Sequence, residues 1–157
     1  MLTKLEEQTC RKGEILFRQG DPAGTMFQIL WGTVGLYVDY GTRKERQVAR
    51  LHSGQFFGEM GLIEDKPRST TAVVLEANTR IQIITADSFQ DCFKGRPGKV
   101  FMFMQHMSRR IRWLTKDYLE ACKTVADAVD ARKSGTAMSD ELQGKLHRLA
   151  ENYRKSV

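Results

Sequence analysis

Between positions 56 and 73 the chain reads FFGEMGLIEDKPRSTTAV, and most of its chemical capacity sits in a few residues of that stretch. Arg68 offers a planar, permanently charged fork that matches two oxygens of a phosphate. Ser69 beside it adds a hydroxyl donor. Gly58 and Gly61, three apart, let the backbone come close to an anion. A short helical turn starting near Met60 would aim its free N–H groups at the same charge. Glu59 is poorly suited to sit beside a phosphate, but its carboxylate can accept a hydrogen bond from a ribose hydroxyl. Together these residues suit an anionic sugar ligand. Singly, each has a plainer reading: a lone Gly-x-x-Gly is usually a turn, and an acid nine residues before an arginine is usually a surface pair.

Other chemistries are poorly supplied. The three histidines (His52, His106, His147) are scattered without ligand spacing, and the three cysteines (Cys10, Cys92, Cys122) form no CxxC. That pattern suits a reducing, cytoplasmic setting and argues against a zinc site or a disulfide framework. A metal-dependent enzyme on a β-scaffold would need clustered ligands, and no Ser-His-Asp or Cys-His set has supporting residues. No catalytic residue, no metal and no enzymatic activity are expected.

Size and composition bound the scaffold. The 157 residues make one ordinary domain with helical additions, and 41% hydrophobic residues are enough to build a core. No apolar run approaches the ~20 residues of a membrane helix, and the polar, acidic start does not resemble a signal peptide. The net charge is +6, but it is spread over Arg43, Lys44 and Arg46, then Arg109, Arg110 and Arg112, then Arg132 and Lys133. Scatter of that kind reads as a solvated surface, so neither a nucleic-acid partner nor a membrane partner is expected.

The elements that must position the candidate residues change type once along the chain. Short apolar runs bounded by turn residues predict strands over 14–17, 26–31, Thr33–Val38, 47–51, 70–75 and 80–85. Gly32 predicts a tight reversal, and Tyr40-Gly41-Thr42 a hairpin. Val34, Leu36 and Val38 alternate with polar or small neighbours, so one face is buried. Strands at this spacing indicate a sandwich or barrel. A short helix follows over Ala86–Phe93, and the Gly- and Pro-bearing segment 94–98 breaks it.

From Lys99 to about Arg132 there is neither Pro nor Gly. Val100, Met104, Met107, Ile111, Leu114, Tyr118, Ala121, Val125 and Ala128 recur there in steps of four and three, a heptad seam. About 33 helical residues span about 50 Å, more than the ~30 Å width of a small domain. Part of the seam therefore calls for a partner, and a second copy of the same helix is the simplest one. The competing expectation is that a final amphipathic helix over 140–153, with Leu142, Leu146 and Leu149 on one face, folds back over it. The organisation expected is a β-roll with short flanking helices over 1–97, a long helix over 98–132 and a C-terminal helical segment over 133–157.

The stretch FGEMGLIEDKPRSTT resembles the phosphate-binding cassette of the cyclic-nucleotide-binding domain family, roughly F-G-E-[LIM]-[AG]-L, a short loop, then P-R-[ST]-A-[TV]. GEILFRQGDPAGTMFQILWGTVGLYV is similar to the opening strands of that family, and the likeness covers about residues 8–122. The resemblance implies a mainly β (α+β) fold, a jelly-roll β-roll followed by a short helix, a long capping helix and a C-terminal helix. It implies that Arg68 pairs with the cyclic phosphate, that Glu59 binds the ribose 2′-hydroxyl, and that Ser69 touches phosphate. It implies also that the backbone at Gly58, Met60 and Gly61 lines phosphate and ribose. Thr70 replaces the usual alanine and adds a hydroxyl near the pocket. In the long helix, RRIRWLTKDY is similar to the capping helix of bacterial catabolite activators, with Thr115 near their base-contacting hydroxyl. Trp113, Leu114 and Tyr118 are candidate lids, although Leu114 and Tyr118 also belong to the seam.

The function so implied is a regulatory sensor for a cyclic nucleotide, cAMP by default and cGMP as the alternative, that transmits binding through its C-terminal helices to an unidentified effector. Two other readings stand beside it. A transcription factor of the catabolite-activator type would need a helix-turn-helix, and only about 25 residues follow the long helix. A ligand-free interaction scaffold would be expected to lose Glu59 or Arg68, and both are present.

Overall fold

The structure, a computed structural model, describes residues 5–154, with side chains as far as residue 151. The ends of the expected segments, 1–4 and 155–157, lie outside the described residues. The chain divides into two compact units that meet in sequence at His106 and Met107.

The first unit holds β1 (Glu6–Cys10), β2 (Ile15–Phe17), β3 (Thr25–Trp31), β4 (Thr33–Val38), β5 (Arg46–His52) and β6 (Phe56–Phe57). After these come α1 (Glu59–Glu64), β7 (Thr71–Val74), β8 (Thr79–Thr85), α2 (Ala86–Phe93) and the first turns of α3 (Pro97–Lys133). The strands form two antiparallel sheets, in the orders β1-β8-β3-β6 and β2-β7-β4-β5. Period-2 alternation sends Phe27, Ile29 and Ile81 of one sheet against Phe17, Val34, Leu36, Leu51 and Val74 of the other, in one shared core. The opposite face of β3 and β8 is apolar too. There Met26 and Ile84 pack with Phe56 and Cys92 under Phe89, Phe93 and Phe103. Each of these large side chains contributes roughly 1.5–3 kcal/mol on burial, so both faces of the central strands are anchored.

Local chemistry sets the joints. Thr85 caps α2 by accepting from Ser88 N, while the Ser88 hydroxyl accepts from Thr85 N. Lys99, in the opening turns of α3, donates to Gln82 Oε1 of β8 at 2.7 Å. His106 is buried and its Nδ1 accepts from the Phe56 backbone N–H at 3.4 Å.

Several expectations are corrected. Gly32 does not turn a hairpin: β3 and β4 belong to different sheets, and Gly32 (φ 98°) makes the corner between them. β1 and β6 were not foreseen. Among the described residues β1 is an edge strand paired with β8 alone, and of its five residues only Cys10 is buried, so it carries no alternating apolar signal. β6 is two residues long. The break over 94–98 is confined to its first half, around Gly95 (φ 67°), because Pro97 opens α3. A proline at a helix start loses no hydrogen bond there.

The second unit consists of the rest of α3 and α4 (Asp140–Arg154), joined through Gly135 (φ 67°). The face of α3 that carries Ala121, Thr124, Ala128 and Ala131 is wholly or partly buried, and it lies toward the half-buried Leu142, Leu146 and Leu149 of α4. The larger seam residues stay exposed: Ile111 by 65%, Leu114 by 56% and Tyr118 by 68%. Among the described residues no helix is long and apolar enough to cross a membrane.

Candidate functional site

The site is assembled by three segments of the first unit: the loop from β2 to β3, the β6–α1 junction, and the run into β7. Backbone hydrogen bonds fasten the loop to the last of these, Arg68 N–H to Asp21 O at 2.9 Å and Gly20 N–H to Arg68 O at 2.8 Å. The loop holds its own shape through Arg18 N–H donating to Asp21 Oδ2 at 2.8 Å. Gln19 N–H, in turn, donates to Thr71 Oγ1 at 3.0 Å. Arg68 thus enters the interior from a backbone that is already fixed on both sides.

Its side chain is 6% exposed, which is unusual for arginine and costly unless the charge is met. Three N–H groups are met. Nη1 donates to Thr25 O at 2.6 Å and to Gly58 O at 2.8 Å, and Nη2 donates to Thr25 Oγ1 at 2.8 Å. The guanidinium lies over the Phe17 ring, 4.3 Å from its centroid, with Phe27 at 5.6 Å. Those rings stack with Phe57 into one aromatic floor, so the cation meets their negative faces. Nε is buried and, among the described residues, has no hydrogen-bond partner. Burial pulls the proton affinity of Arg68 down from its ordinary value, and the carboxylates of Asp21 and Glu59 oppose that pull. The group stays charged, because a guanidinium keeps its proton in proteins.

Gly58 is the N-cap of α1 in the left-handed conformation (φ 75°, ψ 6°). Glu59 follows as the first helical residue, 4% exposed, where a carboxylate is favoured by the helix dipole. Gly58, Glu59 and Arg68 are therefore brought together. The other expected residues take different positions. Gly61 is buried, and a Cβ there would run into Ala23 Cβ and lie 3.0 Å from Lys66 O, so its bareness serves the close approach of that loop. Met60 is exposed, Ser69 is exposed and Thr70 is half-buried. Thr115 is exposed on α3 in the second unit, as are Trp113, Leu114 and Tyr118. Thr25 was missed by sequence reasoning. It precedes Arg68 by 43 positions, and nothing in the cassette points to it.

Among the described residues no group of three or more His, Cys, Asp or Glu could hold a metal ion. The donor set suits an anion: a buried Nε–H, unpartnered among the described residues, on a permanently charged planar guanidinium.

Residues 7–96 match the profile of the cyclic nucleotide-binding domain. That is more than half of the chain, and the chain belongs to this family. Over 103 residues it is 32% identical to Rap guanine nucleotide exchange factor 3 of Rattus norvegicus, a match covering 65% of this chain and 11% of that protein. Over 81 residues it is 32% identical to the CRP-like protein Clp of Xanthomonas campestris pv. campestris, covering 50% of this chain and 34% of Clp. The chain thus spans roughly a tenth and a third of these two relatives. A solved structure of CLP from Xanthomonas campestris, described as a c-di-GMP responsive global regulator, superposes with a TM-score of 0.64 at 23% identity. It covers 88% of this chain and 72% of that one, a likeness of fold. The fold is a jelly-roll β-roll followed by helices.

Proposed function

We propose that the protein is a non-enzymatic, cytoplasmic regulatory receptor for a cyclic nucleotide, with cAMP as the favoured ligand. The observation that carries this reading is the buried, unpartnered Nε of Arg68, next to a guanidinium whose other edge is already held. A cyclic phosphate placed against that edge would complete the hydrogen bonding of the arginine and supply the counter-charge that burial calls for.

In this reading Arg68 anchors the phosphate, and the backbone of Gly58, Met60 and Gly61 lines phosphate and ribose. Ser69 and Thr70 lie at the rim, and Glu59 accepts from the ribose 2′-hydroxyl. The base then recruits α3, with Thr115 as its contact. The ligand shifts the position of the helices only by its differential affinity for the two arrangements. Pairing of two α3 helices through the exposed seam would carry the change to an effector, as a homodimer.

Calorimetric titration with cAMP, cGMP and cyclic di-GMP, beside Arg68→Ala and Arg68→Lys variants, tests the reading. The wild-type protein is expected to bind a mononucleotide, cAMP more tightly than cGMP. The alanine variant should lose at least ~2 kcal/mol, about thirtyfold, and lysine should recover little because it keeps the charge but not the fork. Absence of binding at high micromolar nucleotide would overturn the receptor reading. Preference for cyclic di-GMP would replace the ligand class and keep the anion site.

A further inference from the structure

Thr25 grips Arg68 at two points, one from its backbone and one from its side chain. A guanidinium has five N–H groups. Nη1 spends both of its own, on Thr25 O and Gly58 O, and Nη2 spends one on Thr25 Oγ1. The two left are the Nε–H and the second Nη2 N–H, which stand side by side and parallel on one edge. That edge is the one that can meet two oxygens of a single anion.

We propose that Thr25 is the positioning residue of the phosphate site, one that clamps the far edge of Arg68 so that the Nε/Nη2 edge is presented as a fixed bidentate donor. This rests on the receptor reading above. The clamp is stiff for three reasons. The Thr25 backbone is fixed by its pairing with Thr85 at the start of β3. Its branched Cβ restricts the hydroxyl to few rotamers. The Thr25 and Gly58 carbonyls both hold Nη1, so they tie the guanidinium at one nitrogen, whereas the hydroxyl supplies a fixed point on Nη2, with the Phe17 ring 4.3 Å beneath. The hydroxyl does not compete with the ligand, because it takes an N–H that the free edge does not use.

The test compares Thr25→Val, which keeps shape and carbonyl but removes the hydroxyl, with Thr25→Ser, which restores it. Each is titrated with cAMP and with the two phosphorothioate diastereomers of cAMP, and each is melted. An oriented fork distinguishes the two exocyclic oxygens, so wild type should separate the diastereomers. The valine variant should bind cAMP about tenfold more weakly and draw the diastereomer ratio toward one. Serine should return both to within about twofold of wild type. A merely structural role would lower the melting temperature without moving the ratio, and Thr25→Ala reads the same ratio if valine folds poorly. Valine with wild-type affinity and ratio, or with tighter binding, would overturn the proposal while leaving the receptor reading intact. A wild-type protein that binds no cyclic nucleotide would sink both.

Discussion

The Gly58 carbonyl accepts from Arg68 Nη1 at 2.8 Å, and a Cβ built on Gly58 would lie 2.7 Å from that same nitrogen. Backbone conformation and side-chain space therefore demand glycine together, since φ is 75°. Gly58→Ala should cost about 1–2 kcal/mol of stability from the left-handed conformation alone. It should also displace the guanidinium, so nucleotide affinity should fall by more than about tenfold, beyond what the stability loss explains. Urea midpoints and calorimetry on the same preparation separate the two effects. Unchanged affinity would show that Arg68 tolerates displacement.

Glu59 offers a second, independent check on ligand orientation. Its carboxylate is buried at the start of α1 and acts electrostatically on Arg68. If it accepts from the ribose 2′-hydroxyl, removing either partner should weaken binding by about tenfold, and removing both should cost little more. The cycle pairs wild type and Glu59→Ala with cAMP and 2′-deoxy-cAMP. Strictly additive losses would show that the two groups do not meet.

The cassette was legible because its chemistry is local in sequence. Gly58, Glu59 and Arg68 lie within one short stretch, and the turn residues around them announce a loop that must close on itself. What escaped was non-local or silent. Thr25 reaches Arg68 only because the β2–β3 loop folds against the cassette, a pairing no periodicity encodes. β1 escaped because an edge strand with a single buried residue carries no alternation. A further demand on Gly61 is likewise non-local: the sequence shows a bare position, but only the fold shows that Ala23 fills the space beside it. The seam on α3 was readable from spacing alone, yet only the fold shows that α4 lies toward its small members Ala121 and Ala128 while Ile111, Leu114 and Tyr118 stay exposed.

That division yields a prediction about assembly. Ile111, Leu114 and Tyr118 share one helical stripe and are all exposed. A stripe of this kind is stabilised when two helices bury it against each other. Sedimentation equilibrium should give twice the chain mass for wild type. Leu114→Glu should give the monomer with an unchanged melting profile of the β-roll, because Leu114 lies outside the first unit. A monomeric wild-type protein at high micromolar concentration would remove the second copy as the occupant of the seam.

The three thiols differ in access to solvent. Cys122 is exposed, whereas Cys10 and Cys92 are buried. Native protein should therefore show one fast-reacting thiol toward an aromatic disulfide reagent, and three after denaturation. Cys10 adds a pH dependence, since burial, followed by the nearby Glu14 carboxylate, pushes its thiol from 9.0 up to about 11. The unfolded thiol ionises near its ordinary value while the native one stays protonated, so the unfolded state gains as pH rises. Stability present below about pH 9 should fall by about 2 kcal/mol at most as pH climbs toward 11. Other groups titrate in the same range, so the comparison that isolates Cys10 is with Cys10→Ala. That variant should start less stable, because a buried side chain is lost from the core, but should show a shallower decline between about pH 9 and 11. Equal slopes in the two proteins would mean that the native thiol ionises as readily as the unfolded one, and that the interior around β1 admits the charge.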